Sequence, residues 1–196
     1  MATDKKREAI IDAAMKRFAH FGVPKTTMNE ISEDLGISKA SLYYYFPDKL
    51  RLYIEVINTI LNEAEANKPA LSSDPFKSME AYLNARVEYI LRYQNILDYM
   101  NSFVLNPDEN IKKLLERAYE METSRITEIL NQGISMKVFT IKTPEFYGNL
   151  LFNTLTGLRL YYLKNKPNYI INKELLEDLL LHEKALGKIF LKGLTV

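Results

Sequence analysis

The stretch "TTMNEISEDLGISKASLYYYFPDKL", Thr26 to Leu50, decides the fold. Thr27 with Glu30 three residues on forms a capping box. Met28, Ile31 and Leu35 then give one helix an apolar edge, and Gly36 stops it. Ser38 is a good N-cap for a second helix after a very short turn. Ile37 and Leu42 have the spacing of a hydrophobic staple, and Pro47 and Asp48 end this second helix. Two short helices joined by a tight glycine turn, with an earlier helix braced across them, describe a helix-turn-helix.

Tyr43, Tyr44 and Tyr45 stand directly before Phe46, and a helix cannot bury three consecutive residues on one face. At about 100° per residue, Leu42 and Phe46 share a face and point into a small core. Tyr44 then lies roughly opposite, flanked by Tyr43 and Tyr45. The rings fan across the outer arc of the helix that enters the major groove in such a motif. Tyrosine suits that place, because its ring packs on sugar and thymine methyl while its hydroxyl bonds phosphate. Lys39, Ala40 and Ser41 occupy the first turn, which reaches base edges, and the N-terminus of the helix at Ser38 favours phosphate. Packing alone is the plainer reading of a tyrosine cluster taken out of this context.

The whole of "TTMNEISEDLGISKASLYYYFPDKLRLYIEVI" resembles the DNA-binding region of TetR-type (AcrR-type) bacterial transcription regulators. The carrying residues are Thr26–Thr27, Ile31, Gly36–Ile37–Ser38, Leu42–Tyr43, Phe46 and Lys49. Ala40 departs from the glycine or proline common there. The resemblance implies that Thr26 and Thr27 contact phosphate, that Lys39, Ala40, Ser41 and Tyr44 face bases, and that Tyr43, Tyr45 and Lys49 hold phosphates. It also implies a larger C-terminal region that binds an effector and dimerises through its last two long helices, most relatives being repressors released by a ligand. The expected partners are therefore a palindromic DNA operator, a second copy of the chain and a small-molecule effector. The alternative is a dimeric helical DNA-binding or interaction protein with no effector.

The remainder of the chain reads as helices throughout. Ile10, Ala14, Phe18 and Phe21 make one stripe, ended by Gly22 and Pro24. A long helix runs from Asp48 to a polar break, "KPALSSDP". Beyond it come "SMEAYLNARVEYILRYQ", a short "NILDYMNSFVLN", and a long helix closed by Asn131, Gln132 and Gly133. A connector with some β character leads to a helix with Thr143 as cap and Pro144 at its first position. A last helix is capped by Asn172. The fold class is all-α: three short helices, then about six longer ones. The expected division is a helix-turn-helix domain over residues 1–48 and an effector-binding and dimerisation domain over 49–196.

The chain has 196 residues and a net charge of +1, so any basic footprint must be local. Cysteine is absent, which fits a reducing cytosol and excludes a thiol nucleophile. Charges interrupt the apolar residues of the N-terminus, and no stretch approaches the roughly 20 apolar residues of a membrane span. The location expected is cytoplasmic, with no membrane partner. No P-loop, dinucleotide fingerprint or nucleophile elbow is present, so neither an enzyme nor a cofactor is expected. His20 and His182 lie far apart in sequence, and no metal site is expected; Glu63 with Glu65 and Glu120 with Glu122 read as exposed carboxylates. Lys5, Lys6 and Arg7 are either a DNA-contacting arm or a solvated terminus.

On one helix Tyr82, Arg86, Tyr89 and Tyr93 recur at spacings of four, three and four. Core packing with Arg86 satisfied by a carboxylate is one reading. The other is a pocket wall for a mostly apolar, aromatic or anionic molecule, with Tyr119 and Phe152 on its border and Tyr99, Phe103, Arg125 and Asn153 near. The helix after Pro144 is apolar on more than one face, through Leu150, Leu151, Leu155, Leu158 and Tyr162 around Gly157. The last helix adds Leu179, Leu180, Ile189 and Phe190. Two such hairpins from two chains would make a four-helix dimer interface.

Overall fold

The computed structural model describes residues 2–100, 103, 107–164 and 173–195. Among these, eight helices follow one another: α1 (Ala2–Phe21), α2 (Met28–Asp34), α3 (Lys39–Tyr45), α4 (Lys49–Ala66), α5 (Pro75–Met100), α6 (Glu109–Ser135), α7 (Pro144–Lys164) and α8 (Lys173–Lys192). The all-α class holds, and Pro144 opens α7 as its sequence position implied. Asn172 lies outside the described residues. An isolated bridge between Phe139 and Thr195 is where the β character of the connector surfaces.

Two helix boundaries differ from expectation. The segment "NILDYM" is not separate but continues α5, which is kinked at Tyr93 (φ −118°, ψ 16°). The helix expected to close at Asn131–Gly133 runs on to Ser135. Gly133 is there for packing: a Cβ on it would overlap the Phe139 ring. The end comes instead at Lys137, in the left-handed region at φ 59°, with Val138 donating to the Gly133 carbonyl (2.8 Å) and Lys137 to that of Ile134 (2.9 Å). This is a Schellman closure with lysine in the usual glycine position.

The chain forms two compact units. The first comprises residues 1–66 and 92–117, the second 67–91 and 118–196. These limits do not coincide with a cut at 48/49, since α4 belongs with the N-terminal helices.

The core of the first unit gathers Ile10, Ala14, Phe18, Val23, Ile31, Leu42, Leu52, Tyr53, Val56 and Ile57, all without solvent exposure. Phe21 does not join the α1 stripe; it is 52% exposed, with the Arg17 guanidinium 5.6 Å from its ring centroid. It sits in the last turn of the helix, where Val23 already fills the core. Arg17 also grips Asp34 and stands 3.4 Å from Glu30, tying α1 to α2. The Arg17 hydrogen bond lowers the pKa of Asp34, and the Thr27 hydrogen bonds lower that of Glu30. Both carboxylates are exposed. Their link is at full strength above the ordinary carboxylate range and fades as pH falls through the lowered values.

In the second unit, Met79 and Leu83 of α5, Ile126, Ile129 and Leu130 of α6, Leu151 and Leu155 of α7 and Leu191 of α8 form one buried cluster. Each such side chain contributes about 1.5–3 kcal/mol by leaving water. Val87 and Ile90 pack with Leu176 and Leu179 in a second cluster.

Tyr53 is fully buried in the first unit, and its hydroxyl donates to the Ile96 carbonyl at 3.0 Å. Burial raises its pKa far above the ordinary tyrosine value, so it stays a neutral donor. Tyr53→Phe leaves that carbonyl without its partner and is expected to cost about 1–2 kcal/mol in urea unfolding. An unchanged midpoint would show that the bond contributes nothing.

Candidate nucleic-acid interface and a buried polar cluster

The turn between α2 and α3 is built by local hydrogen bonds. Thr27 accepts from the Glu30 amide at 3.3 Å while the Glu30 carboxylate accepts from the Thr27 amide at 2.7 Å, completing the capping box. Gly36 takes φ 61°, where other residues are strained, and Ile37 donates back to the Ser32 carbonyl at 3.0 Å. Ser38 in extended conformation accepts from the Ser41 amide at 3.2 Å and starts α3.

α3 has two faces. Leu42 is fully buried, and Phe46 just past its end is 2% exposed. Lys39, Ala40, Tyr43 and Tyr44 are exposed, and Ser41 and Tyr45 partly so. Tyr44 is 80% exposed and meets the Tyr45 ring edge-on, with centroids 5.3 Å apart. Among the described residues, the Tyr43 and Tyr44 hydroxyls have no partner. An exposed aromatic face with free hydroxyls and a lysine at its N-terminal end can offer bonds to phosphate and base edges.

Two residues expected at phosphate are turned inward. Thr26 is 1% exposed, and its hydroxyl donates to the Gly22 carbonyl at 3.0 Å. The Lys49 ammonium donates to the carbonyls of Val23 (2.9 Å), Thr26 (3.0 Å) and Pro24 (3.5 Å). Both tie down the turn between α1 and α2 by donating to its backbone carbonyls. Arg7 is engaged too: it pairs with Glu55 at 2.5 Å and lies 5.3 Å from the Phe46 ring centroid. Lys5 and Lys6 are exposed.

The second unit carries a buried polar cluster on α5, α6, α7 and α8. Arg86 is 6% exposed and pairs with fully buried Glu183 at 2.5 Å. Its Nε stands 4.0 Å from a Glu122 oxygen, and the Tyr82 hydroxyl donates to Glu122 at 2.5 Å. The Arg86 guanidinium also lies 5.9 Å from the Phe152 ring centroid, and Phe152 meets Tyr119 edge-on at 5.3 Å. Burial against two carboxylates drives the Tyr82 pKa up. Arg159 joins this cluster with its pKa held down to about 10, first by desolvation and then by the Arg86 charge.

The expected aromatic stripe is thus brought together only in part. Tyr82, Arg86, Phe152 and Tyr119 are linked, and Arg86 has the carboxylate partner that the core reading required. Tyr89 is half-buried. Tyr93, beyond the boundary between the units, donates to Glu63 at 2.6 Å. Tyr99 and Phe103 pack on Tyr53 in the first unit, and Arg125 is engaged by Glu128 at 2.6 Å and by the Pro69 carbonyl. Glu63 and Glu122 are hydrogen-bonded partners rather than exposed charges, whereas Glu65 and Glu120 are exposed. Arg159 and Glu183 were not anticipated. Their signal was present: Phe152, Thr156 and Arg159 recur at helical spacing, and Glu183 interrupts the apolar face of Leu176, Leu179 and Leu186. Among the described residues, no group of side chains could hold a metal ion.

Truncating one member of the Arg86–Glu183 pair leaves a buried charge alone. Arg86→Met is expected to lower stability by about 3–5 kcal/mol, and Arg86→Met with Glu183→Leu to recover most of it. A double variant no more stable than the single one would show the two groups are energetically independent.

Residues 10–56 match the model of the bacterial regulatory proteins of the tetR family. The chain is 37% identical over 89 residues to the HTH-type transcriptional regulator RutR of Escherichia coli K12, covering 44% of this chain and 42% of that protein. The chain thus spans less than half the length of that curated relative. The crystal structure of a transcriptional regulator from Cytophaga hutchinsonii superposes with a TM-score of 0.82 and 32% identity, covering 97% of this chain and 99% of that one. A transcriptional regulator from Saccharomonospora viridis, solved in complex with choline, shares the fold at a TM-score of 0.74 and 16% identity over 98% of this chain and 99% of that one. The helix-turn-helix match together with a 32% identical relative covered almost end to end identifies the family: the chain belongs to the TetR family of bacterial regulatory proteins.

Proposed function

We propose that the protein is a repressor that binds a palindromic operator as a homodimer and leaves it when a small molecule occupies the second unit. The observation carrying the DNA-reading part is the two-faced α3, with Leu42 and Phe46 locked inward and Lys39, Ala40, Tyr43 and Tyr44 outward. Lys39, Ala40, Ser41 and Tyr44 face bases in this reading; Tyr43, Tyr45, Thr27 and the α3 N-terminus at Ser38 hold phosphate. Thr26 and Lys49 act indirectly, by fixing the turn that sets α2. DNA contacts belong to residues 1–48, and effector and dimer contacts to 49–196. The protein works in the cytoplasm, beside the chromosome; among the described residues no helix is long and apolar enough to cross a membrane.

The dimer surface we propose differs from the residues the sequence suggested. Leu151, Leu155 and Leu179 are fully or almost fully buried in their own unit, and Leu158, Tyr162, Leu180 and Phe190 pack against the same clusters. The outward apolar stripe is Phe146, Leu150 and Tyr161 on α7, with Leu181 and Ile189 on α8, 44–69% exposed. A Cβ on Gly157, on the same α7 face, would meet nothing within 4 Å, leaving room for a partner helix to approach closely. Exposed leucine, phenylalanine and isoleucine in line along two adjacent helices mark an interaction surface, and a two-fold axis makes such a stripe complementary to itself.

For release, the supporting features are the polar cluster inside an otherwise apolar unit and the relative that holds choline. A ligand that weakens operator binding a hundredfold must prefer the non-binding conformation by about 2.7 kcal/mol. By reciprocity, operator DNA weakens ligand binding by the same factor.

Selection from a random DNA pool with purified protein is expected to return a palindrome. Lys39→Ala should alter base preference at one symmetric pair of positions, by about 1–3 kcal/mol. Recovery of no consensus would overturn the reading. In sedimentation at micromolar concentration the protein is expected to be a dimer, and Ile189→Glu with Leu181→Glu a folded monomer; a dimer persisting in that variant would move the interface elsewhere.

A further inference from the structure

The polar cluster has more donors than its own acceptors satisfy. Arg86 is saturated on one side only: its Nη1 meets Glu183, while its Nε and Nη2 are buried with no hydrogen-bond partner. Arg159 makes no hydrogen bond to a carboxylate or carbonyl among the described residues, although the charges of Glu122 and Glu183 reach it, and its Nε is buried and unbonded as well. The Thr156 hydroxyl, one turn before it on α7, is in the same condition. Against these donors stands a single orphan acceptor, Glu183 Oε2. Both carboxylates of the cluster are already engaged, Glu183 by Arg86 and Glu122 by Tyr82. Buried polar groups are nearly always paired, and a guanidinium does not escape by losing its proton. A planar anion is the complement that two incompletely paired guanidinium groups lack. Phe152, at one turn's spacing before Thr156, and its edge-on partner Tyr119 offer an apolar flank beside them.

We propose that Arg159, with the unbonded Nε and Nη2 of Arg86 and the Thr156 hydroxyl, is the specificity-determining anchor for the carboxylate of a small monocarboxylic acid whose apolar body lies against Phe152 and Tyr119. This rests on the reading of the second unit as the effector-binding part and names the chemical class that it takes. Arg159 is the deciding residue because it feels Glu122 and Glu183 only through their charge and makes no hydrogen bond to either of them. Arg86 has a structural duty to Glu183 as well, and its loss would mix the two effects.

The test uses the intact protein without DNA, titrated calorimetrically with phenylacetate and octanoate and with their amides. The acids are expected to bind saturably, and the amides at least about 10-fold more weakly, because they keep the apolar body and lose the charge. Arg159→Gln should weaken acid binding about 30-fold and leave the amides unchanged, and Arg159→Lys should fall between, keeping the charge without the fork. Thr156→Val serves as a second variant, with a smaller loss expected for the acids alone. Failure of both acids to bind, equal binding of acids and amides, or acid binding unmoved in Arg159→Gln would each overturn the assignment. Operator release is measured separately. Acids that bind through Arg159 without releasing operator would uphold the anion site and defeat the release reading. A neutral compound that releases operator while no acid binds would do the reverse.

Discussion

The outward face of α3 depends on a constraint inside the first unit: Leu42 and Phe46 must be buried together. α3 has only seven residues, too short to hold its rotation by its own hydrogen bonds. The two inward side chains fix which arc of those roughly two turns faces out. Ser38 and the left-handed Gly36 fix where it begins, and Pro47 follows where it ends. With those set, Tyr43 and Tyr44 have nowhere to go but solvent. Thr26 and Lys49 extend the same logic one step further from α3. By donating to the carbonyls of Gly22, Val23, Pro24 and Thr26, they hold the turn from which α2 starts.

The second unit follows a different rule. Its α5, α6, α7 and α8 pack through aliphatic side chains, yet they enclose Arg86 and Glu183, and a buried ion pair is weak evidence of stability compared with a hydrophobic pair of similar volume. Within it Arg86 Nε and Nη2, Arg159 Nε, Thr156 Oγ1 and Glu183 Oε2 are buried with no hydrogen-bond partner. Sites that break local rules in this way are where function is to be sought. The lowered pKa of Arg159 and the raised one of Tyr82 are two signs of the same desolvation.

Much of the first unit could be read from residues in order, because its signals are local. The capping box at Thr27 and Glu30, the stop at Gly36 and the cap at Ser38 each depend on residues three or four apart. The burial of Leu42 and Phe46 follows from helical period alone. What could not be read is where a long side chain ends. Lys49 and Thr26 have the composition of phosphate contacts, and only the fold shows their atoms spent on nearby carbonyls. In the second unit the period located apolar faces without saying which neighbour covers them. Leu151 and Leu155 therefore looked available for a partner chain when their own unit buries them. Arg159 and Glu183 escaped notice because a charge on a helix is by default a solvated one. Only their meeting with Arg86 across three helices gives them meaning.

The outward face of α3 is the central claim, and Tyr44 tests it with the least ambiguity. It is 80% exposed, so its loss removes almost no packing. Tyr44→Ala, compared with wild type by melting temperature and by affinity for the selected operator at fixed salt, separates folding from recognition. Tyr44→Ala is expected to leave the melting temperature unchanged and to reduce operator affinity by about 10-fold or more. An unchanged operator affinity would mean that the tyrosine face does not lie on DNA.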